Sequence, residues 1–544
     1  MEFKLPIQYI NHEIVDAHVI QDLELIDSEE TSVYDKLFSP KTPESKHITR
    51  EWAKYYTTNE QFLKQSVVLF KSPIHKANIS EFVKNWNAIQ ENKEFKIKYQ
   101  YVENAWLSSL NTSPLFLMFI SFYFITSPLL LLLSPFLMMI IPFFILKVGG
   151  HEINWESYMF IFKSVIKKHA IGGLLLGFNE ADNTQRMYLI GTAIFFLIQL
   201  YTNAYSVYVF YTNMNHVYNV IDSCISYIAD TVLCIHDVQD VIVTLPTYDL
   251  FNNELEVHKN VLLNFGAKLA GLRSLKKCGS ARAIFYEFYD NKELNKSFNY
   301  TIGFHGFVQT IHTLKKKLGK SINPCTFSLE TSFCKAYYPI KNPIKNTYSL
   351  DKNVIITGPN ASGKTTILKT TLINVLLSQQ IGCGFYKSAQ ICPYEAFYCY
   401  INIPDTSGRD SLFQAEARRC KEIVDEVIKK KRMLCIFDEL FSGTNPYEAI
   451  AGSCSLLTYL SNFPTFRFLL TTHFIDVCEN LKKTDIQMKH MKTIRDVYTY
   501  KLTNGISYVK GGIKVLKQLN FPESIVKGCN NYADKINDNN IGVC

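Results

Sequence analysis

The chain has no cysteine before Cys224, and none of its 14 cysteines stands in a C-x-x-C pair. That spacing offers neither zinc-ribbon ligands nor the framework of a small disulfide scaffold. Several cysteines lie in apolar runs, Cys435 beside Ile436 for example, and read as reduced core residues of a cytosolic-side domain. The first 30 residues mix Glu2, Glu13, Asp16 and Asp22 with short apolar pieces, so no signal peptide is expected. Net charge is low, +8 over 544 residues. Such a balance permits contact with nucleic acid or an anionic membrane surface and requires neither. The longest absence is of charge itself: residues 114–146 contain no charged side chain.

That uncharged run is rich in Phe, Leu, Ile and Met. As one helix it would be about 50 Å long at 1.5 Å per residue, against a hydrocarbon slab about 30 Å thick. It is expected to tilt, to kink at Pro128, Pro135 or Pro142, or to fold back as a hairpin. A second uncharged run, Tyr188 to Tyr211, has 24 residues. Its length suits one crossing and its tyrosines suit an interfacial belt; packing on the first run is the other option. Lys147, Lys163, Lys167, Lys168 and Arg186 between the runs favour a cytoplasmic loop. A chain of this length exceeds one core. Four regions are expected: a small, mainly helical accessory domain (1–112), a membrane region (113–211), a helical lever-like connector (212–340) and an α/β domain (341–544). Within the connector, Lys315 to Lys317 forms a short basic cluster that packs against the α/β domain or faces DNA.

The chemistry is concentrated in the last third. Val354, Ile355 and Ile356 read as a buried strand. Gly358 to Thr365 then fits G-x-x-x-x-G-K-[ST], the phosphate-binding loop. Gly358, Pro359, Asn360, Ala361, Ser362, Gly363, Lys364, Thr365 and Thr366 are the expected nucleotide contacts. Lys364 reaches the β- and γ-phosphates of ATP and Thr365 offers its hydroxyl to Mg²⁺. A helix follows to Gln380, with Ile367, Leu368, Leu372, Val375 and Leu376 on one side and its positive end at the phosphates. A second strand, Met433 to Phe437, delivers Asp438 as the magnesium-organising acid and Glu439 as the group that activates water. A third, Phe466 to Leu470, leads to His473 at the edge where α/β sheets bind ligands. Ser411 opens a long helix whose packing face is Leu412, Ala415, Cys420, Ile423, Val427 and Ile428.

These pieces, in this order, resemble the MutS family of ABC-type ATPases. Gly358-Pro359-Asn360 through Thr366 is similar to its phosphate loop, and Ser411-Leu412-Phe413 to its signature segment. Asp438-Glu439-Leu440 with Gly443-Thr444-Asn445 resembles its second acidic stretch, and Thr472-His473-Phe474 its T-H-Y/F. Tyr500-Lys501-Leu502 and the piece from Gly512 to Gly528, with Phe521-Pro522-Glu523 in its turn, are similar to its closing strand and helix–turn–helix dimer element. L-S-G-G-Q, the transporter signature, is missing. The resemblance implies a homodimer in which Ser411 of one subunit caps the γ-phosphate held by Lys364 of the other. It also implies a DNA client, in mismatch repair or recombination. The family's wedge triplet, Phe-x-Glu, is absent from residues 1–112. Phe285-Tyr286-Glu287 spells it in the wrong place and is read as coincidence. The expected protein is therefore a membrane-anchored, Mg²⁺-dependent ATPase with its nucleotide domain on the cytosolic side. The alternative is a mechanical membrane ATPase acting on a protein or lipid partner. Three or fewer spans without embedded charge leave little for a small-molecule transporter.

Overall fold

The computed structural model describes residues 3–29, 31–150, 154–179, 181–272, 277–401, 411–429, 431–495, 497–509, 516 and 519–540. They form two compact units. One comprises Ala77–Leu233 and Val257–Asn299, the other Met1–Lys76, Cys234–Glu256 and Tyr300–Cys544.

The first of these units is helical. Ser113 caps helix α1 (Pro114–Val148), which runs 35 residues without a break. The proline kinks do not end it, and the hairpin expected as one option does not form. The second uncharged run is part of a longer element, α2 (Asn183–Ile242). No proline or glycine follows Tyr211 before Pro246 to stop that helix, so it continues for 60 residues. By length and composition α2 is able to cross a membrane. The bent pair Ala105–Thr112 and Pro114–Ser127, meeting at 92°, makes a second candidate. Both helices keep large apolar side chains exposed, among them Phe119, Phe122, Phe136, Phe195 and Ile198. The core of this unit is aromatic: Phe82 stacks on Tyr227 with ring centroids 3.8 Å apart, and Trp86 meets Phe288 edge-on at 4.9 Å. Helix Cys278–Asp290 lies so close to the start of α1 that a Cβ at Gly279 would sit 2.1 Å from the Pro114 carbonyl oxygen. Phe285 is buried on that helix, which removes it as a base-stacking wedge.

The other unit is built on a six-stranded sheet. Its elements in chain order are β1 (Asn353–Thr357), α3 (Lys364–Ile381), β2 (Ala396–Tyr400), α4 (Leu412–Val427), β3 (Met433–Asp438), β4 (Phe466–Thr472), β5 (Ile486–Ile494) and β6 (Val497–Asn504). The spatial order is β2-β3-β4-β1-β5-β6, parallel except for the closing β5–β6 hairpin. β1 lies in the middle and is buried throughout, as its continuous apolar run requires. A separate four-stranded sheet holds Thr326–Phe327, Ser332–Ala336, Asn346–Ser349 and Ser388–Ile391.

α3 corrects the one-sided packing expected from its sequence. From Thr370 onward it is buried around its whole circumference, Asn374, Ser378, Gln379 and Gln380 included. Asn374 and Ser378 bond within the helix and to Phe385 and Tyr386, whereas the two glutamines are met by the N-terminal stretch and by Tyr394. Gln379 donates its amide to the carbonyls of Thr57 and Tyr394, and Gln380 donates to the Trp52 carbonyl. The Tyr34 hydroxyl donates to Gln380, and the Thr57 amide to the Gln379 carbonyl at 2.9 Å. Residues 3–76 thus share one core with the sheet. The family-like turn Phe521-Pro522-Glu523 leads into helix Glu523–Asn540; Gly512 and Ile513 lie outside the described residues.

Candidate active site

Register brings the chemistry together. Pairing of β3 with β4 sets Asp438 opposite Thr471, and pairing of β4 with β1 sets Thr471 opposite Ile356 and Thr472 opposite Thr357. Three strand ends, from distant parts of the sequence, therefore open on one crevice at the carboxyl edge of the sheet.

The loop after β1 turns on residues with positive φ: Ala361 at 62° and Gly363 at 94°. Gly363 is also closely approached, because a Cβ there would lie 3.1 Å from the Tyr500 ring. Gly363 serves as the N-cap of α3 and has no side chain to satisfy the free N–H groups of the first turn. That first turn is Lys364, Thr365 and Thr366. The Lys364 side chain is buried, and its ammonium donates to the Gly358 carbonyl at 2.9 Å and to Asn360 Oδ1 at 3.2 Å. Thr365 Oγ1 donates to Asp438 Oδ2 at 2.6 Å, across 73 residues of sequence. The Thr471 hydroxyl donates to the other carboxylate oxygen. Asp438 is thus held on both oxygens, with its face set toward the loop.

Glu439 follows in a left-handed conformation, φ 55°. That turn aims its carboxylate back at the site, where Oε1 lies 3.5 Å from Lys364 Nζ and 3.5 Å from His473 Nδ1. The His473 contact, aided by the Lys364 charge, holds the Glu439 carboxyl below its ordinary range against the opposing effect of burial. A cavity of about 680 Å³ opens beside Lys364, Asp438 and Glu439; His473 reaches it through Glu439 and is not among the lining residues. Asn360, Ala361, Gly363, Lys364, Thr365, Thr366, Asp438 and Glu439 line it, and Tyr338, Ile340, Pro343 and Ile344 add an apolar lining. Gly358 lies within reach of Lys364. Ser362 is buried, and Ser362 and Pro359 are not among the lining residues.

Ser411 stands apart from this cluster. It caps α4 in a reciprocal box: Oγ accepts from the Gln414 amide at 3.3 Å, and Gln414 Oε1 accepts from the Ser411 amide at 2.9 Å. It is exposed and does not line the cavity. Residues 407–410, just before it, lie outside the described residues. Of the packing face expected for α4, Cys420, Ile423 and Val427 are buried and Ile428 is exposed.

One residue escaped the sequence reading. Glu416 on α4 is 2% exposed, and its carboxylate accepts from the Ser442 amide and hydroxyl, both at 3.1 Å, and from the Gly443 amide at 3.2 Å. It ties α4 to the loop that follows Glu439. The available signal was a lone acid on the apolar stripe, one turn from both Leu412 and Cys420.

The donor set suits a nucleoside triphosphate with magnesium. Free first-turn amides and a buried lysine are anion ligands, and a hydroxyl beside a carboxylate is a hard-oxygen pair of the kind Mg²⁺ takes. Residues 354–537 match the family model for MutS domain V. This part of the chain is MutS-like. Over 210 residues it is 28% identical to the DNA mismatch repair protein MutS of Bacteroides fragilis, covering 37% of this chain and 24% of that protein. It is 31% identical to the human MutS protein homolog 4 over 206 residues, 35% of this chain and 21% of the relative. With the Endonuclease MutS2 of Fusobacterium nucleatum the identity is 29% over 199 residues, 35% of this chain and 25% of the relative. The matched segment spans about a quarter of the length of these relatives.

Proposed function

We propose that this protein is a membrane-anchored ATPase with a MutS-type engine, working as a homodimer and acting on DNA. The observation that carries the reading is the 2.6 Å bond from Thr365 to Asp438, which joins the phosphate-type loop to the acidic strand end. Magnesium, bound by Thr365 and Asp438, would neutralise phosphate charge. Lys364 is freed from Gly358 and Asn360 to meet phosphate oxygens, and the first-turn amides of α3 point at the same anion. Tyr338, Ile340, Pro343 and Ile344 offer the base an apolar wall. Glu439, kept ionised by His473 and Lys364, orients the attacking water and takes its proton. His473 holds Glu439 in place.

DNA as client and pairing through Ser411 rest on the MutS likeness, since the named relatives include mismatch repair proteins. Membrane attachment rests on the exposed apolar faces of α1 and α2. Those same faces favour a second reading, in which closure of the dimer acts on a protein or lipid partner. Turnover by the full chain in detergent, with and without homoduplex, mismatched and branched DNA, separates the two. Stimulation by one of the DNAs supports the first reading. Stimulation by bilayers alone selects the second. No ATP turnover under any condition removes both.

A further inference from the structure

A second hollow lies in the sheet-bearing unit, about 440 Å³ in volume. It meets the nucleotide cavity at Ile340 and Pro343, which line both. Four of its lining residues are lysines, Lys36, Lys317, Lys320 and Lys345, and no carboxylate lines it. They come from separate elements: helix Val33–Phe38, the end of helix Lys292–Lys317, the turn after it, and the residue before strand Asn346–Ser349. Folding therefore collects like charges that the sequence holds far apart.

The four ammoniums are not equivalent. Lys317 is fixed, donating to the carbonyls of Lys36 and Leu37, the latter at 2.8 Å, and to Ser39 Oγ at 3.0 Å. None of those partners carries charge, and burial pulls the Lys317 amine down from its usual range. Lys345 lies 5.1 Å from the centre of the Tyr337 ring, and Lys36 lies 6.0 Å from that of Tyr338. Glu24, the acid that feels the Lys36 charge, is already bridged to Lys369 at 2.8 Å. The charge of the hollow is thus left for an outside anion. Of the two rings that line the hollow, Tyr337 is already covered by Lys345 and Phe385 is 3% exposed, so a ligand that needs to stack a base finds no platform, whereas phosphate oxygens find ammoniums.

We propose that this hollow is a second anion site, built for a compact, multiply phosphorylated ligand without a base, such as an inositol phosphate, free or as a lipid headgroup. Lys320 and Lys345 are exposed and supply its mobile charges, and Lys317 supplies a fixed one.

The test uses the full chain in detergent, with a non-hydrolysable ATP analogue saturating the nucleotide cavity. Inositol hexakisphosphate is titrated calorimetrically into wild type and into the double variant Lys320→Glu, Lys345→Glu. Saturable binding that falls at least about tenfold in the variant, a loss of about 1.4 kcal/mol, with unchanged affinity for the ATP analogue, supports the proposal. Mixed micelles carrying a phosphatidylinositol bisphosphate then distinguish the sources. Displacement of the soluble probe by those micelles assigns a lipid headgroup, and failure to displace it assigns a free ligand. Equal affinity in wild type and variant overturns the proposal, as does the absence of saturable binding to wild type with the nucleotide cavity filled. A DNA oligonucleotide that displaces the probe at lower concentration, and is itself weakened by the same two substitutions, would assign the patch to nucleic acid and overturn it too. Because the nucleotide cavity stays occupied throughout, the result does not depend on whether ATP is hydrolysed there.

Discussion

Replacing Glu416 by Gln tests how the loop after Asp438 and Glu439 is held. In the native site one carboxylate oxygen accepts two bonds from Ser442 and the other accepts one from Gly443. The amide can keep its oxygen on Ser442. Its NH₂ then faces the Gly443 N–H, donor against donor, in a place that is 2% exposed. The variant loses one charge-assisted bond and leaves a buried donor unmet, a cost of about 2–4 kcal/mol. For a unit of roughly 340 residues this lowers Tm by roughly 3–6 °C. The loop also carries Glu439 and Phe441 at φ 55° and 58°, a conformation costing about 1–3 kcal/mol at each residue unless the surroundings impose it. Without the Glu416 clamp that strain relaxes and Glu439 shifts. Turnover should fall about 10- to 100-fold, as expected for a displacement near 1 Å. Affinity for an ATP analogue should stay within about threefold, because Gly358, Asn360 and Lys364 make no contact with Glu416. The assays are calorimetric unfolding, steady-state ATPase and analogue binding. Wild-type Tm together with wild-type kcat would refute the clamp.

Lys364→Ala should abolish binding of an ATP analogue in equilibrium titration, since no other buried cation lines that cavity among the described residues. Glu439→Gln should bind the analogue normally and lower single-turnover hydrolysis by about 10²- to 10⁴-fold, the usual loss for a general base. The pH dependence has a definite sign. His473 and Lys364 hold the folded-state pKa of Glu439 below its ordinary carboxylate range, so both its stabilisation and its basicity are present at neutral pH and are lost only as pH falls through that depressed value. The acid limb of the kcat/KM profile should therefore lie below the ordinary carboxylate range, and His473→Ala should move it upward. Gly363→Ala should weaken analogue binding and lower Tm, because Ala is strained at φ 94° and its Cβ presses on the Tyr500 ring.

What could be read beforehand divides by the range of the interactions. A phosphate loop needs a strand, a glycine turn and a helix in immediate succession, so residues 353–366 announce themselves. Asp438 and Glu439 were legible because an acid just past an apolar strand has a place in a parallel sheet only at the carboxyl edge. The bond from Thr365 to Asp438 follows from strand order, which no local pattern encodes, since β4 lies between β1 and β3. α3 shows the limit most clearly. Its Gln379 and Gln380 look like solvent-facing residues, yet they are buried because Trp52, Thr57 and Tyr394 supply bonding partners from far along the chain. A buried amide costs little only when each polar atom is met, so those two glutamines can be placed only once residues 3–76 are known to cover them. The same reasoning explains Glu416. A carboxylate on an apolar stripe reads as a defect in one helix, and becomes a clamp when the loop bearing Ser442 and Gly443 is brought against it.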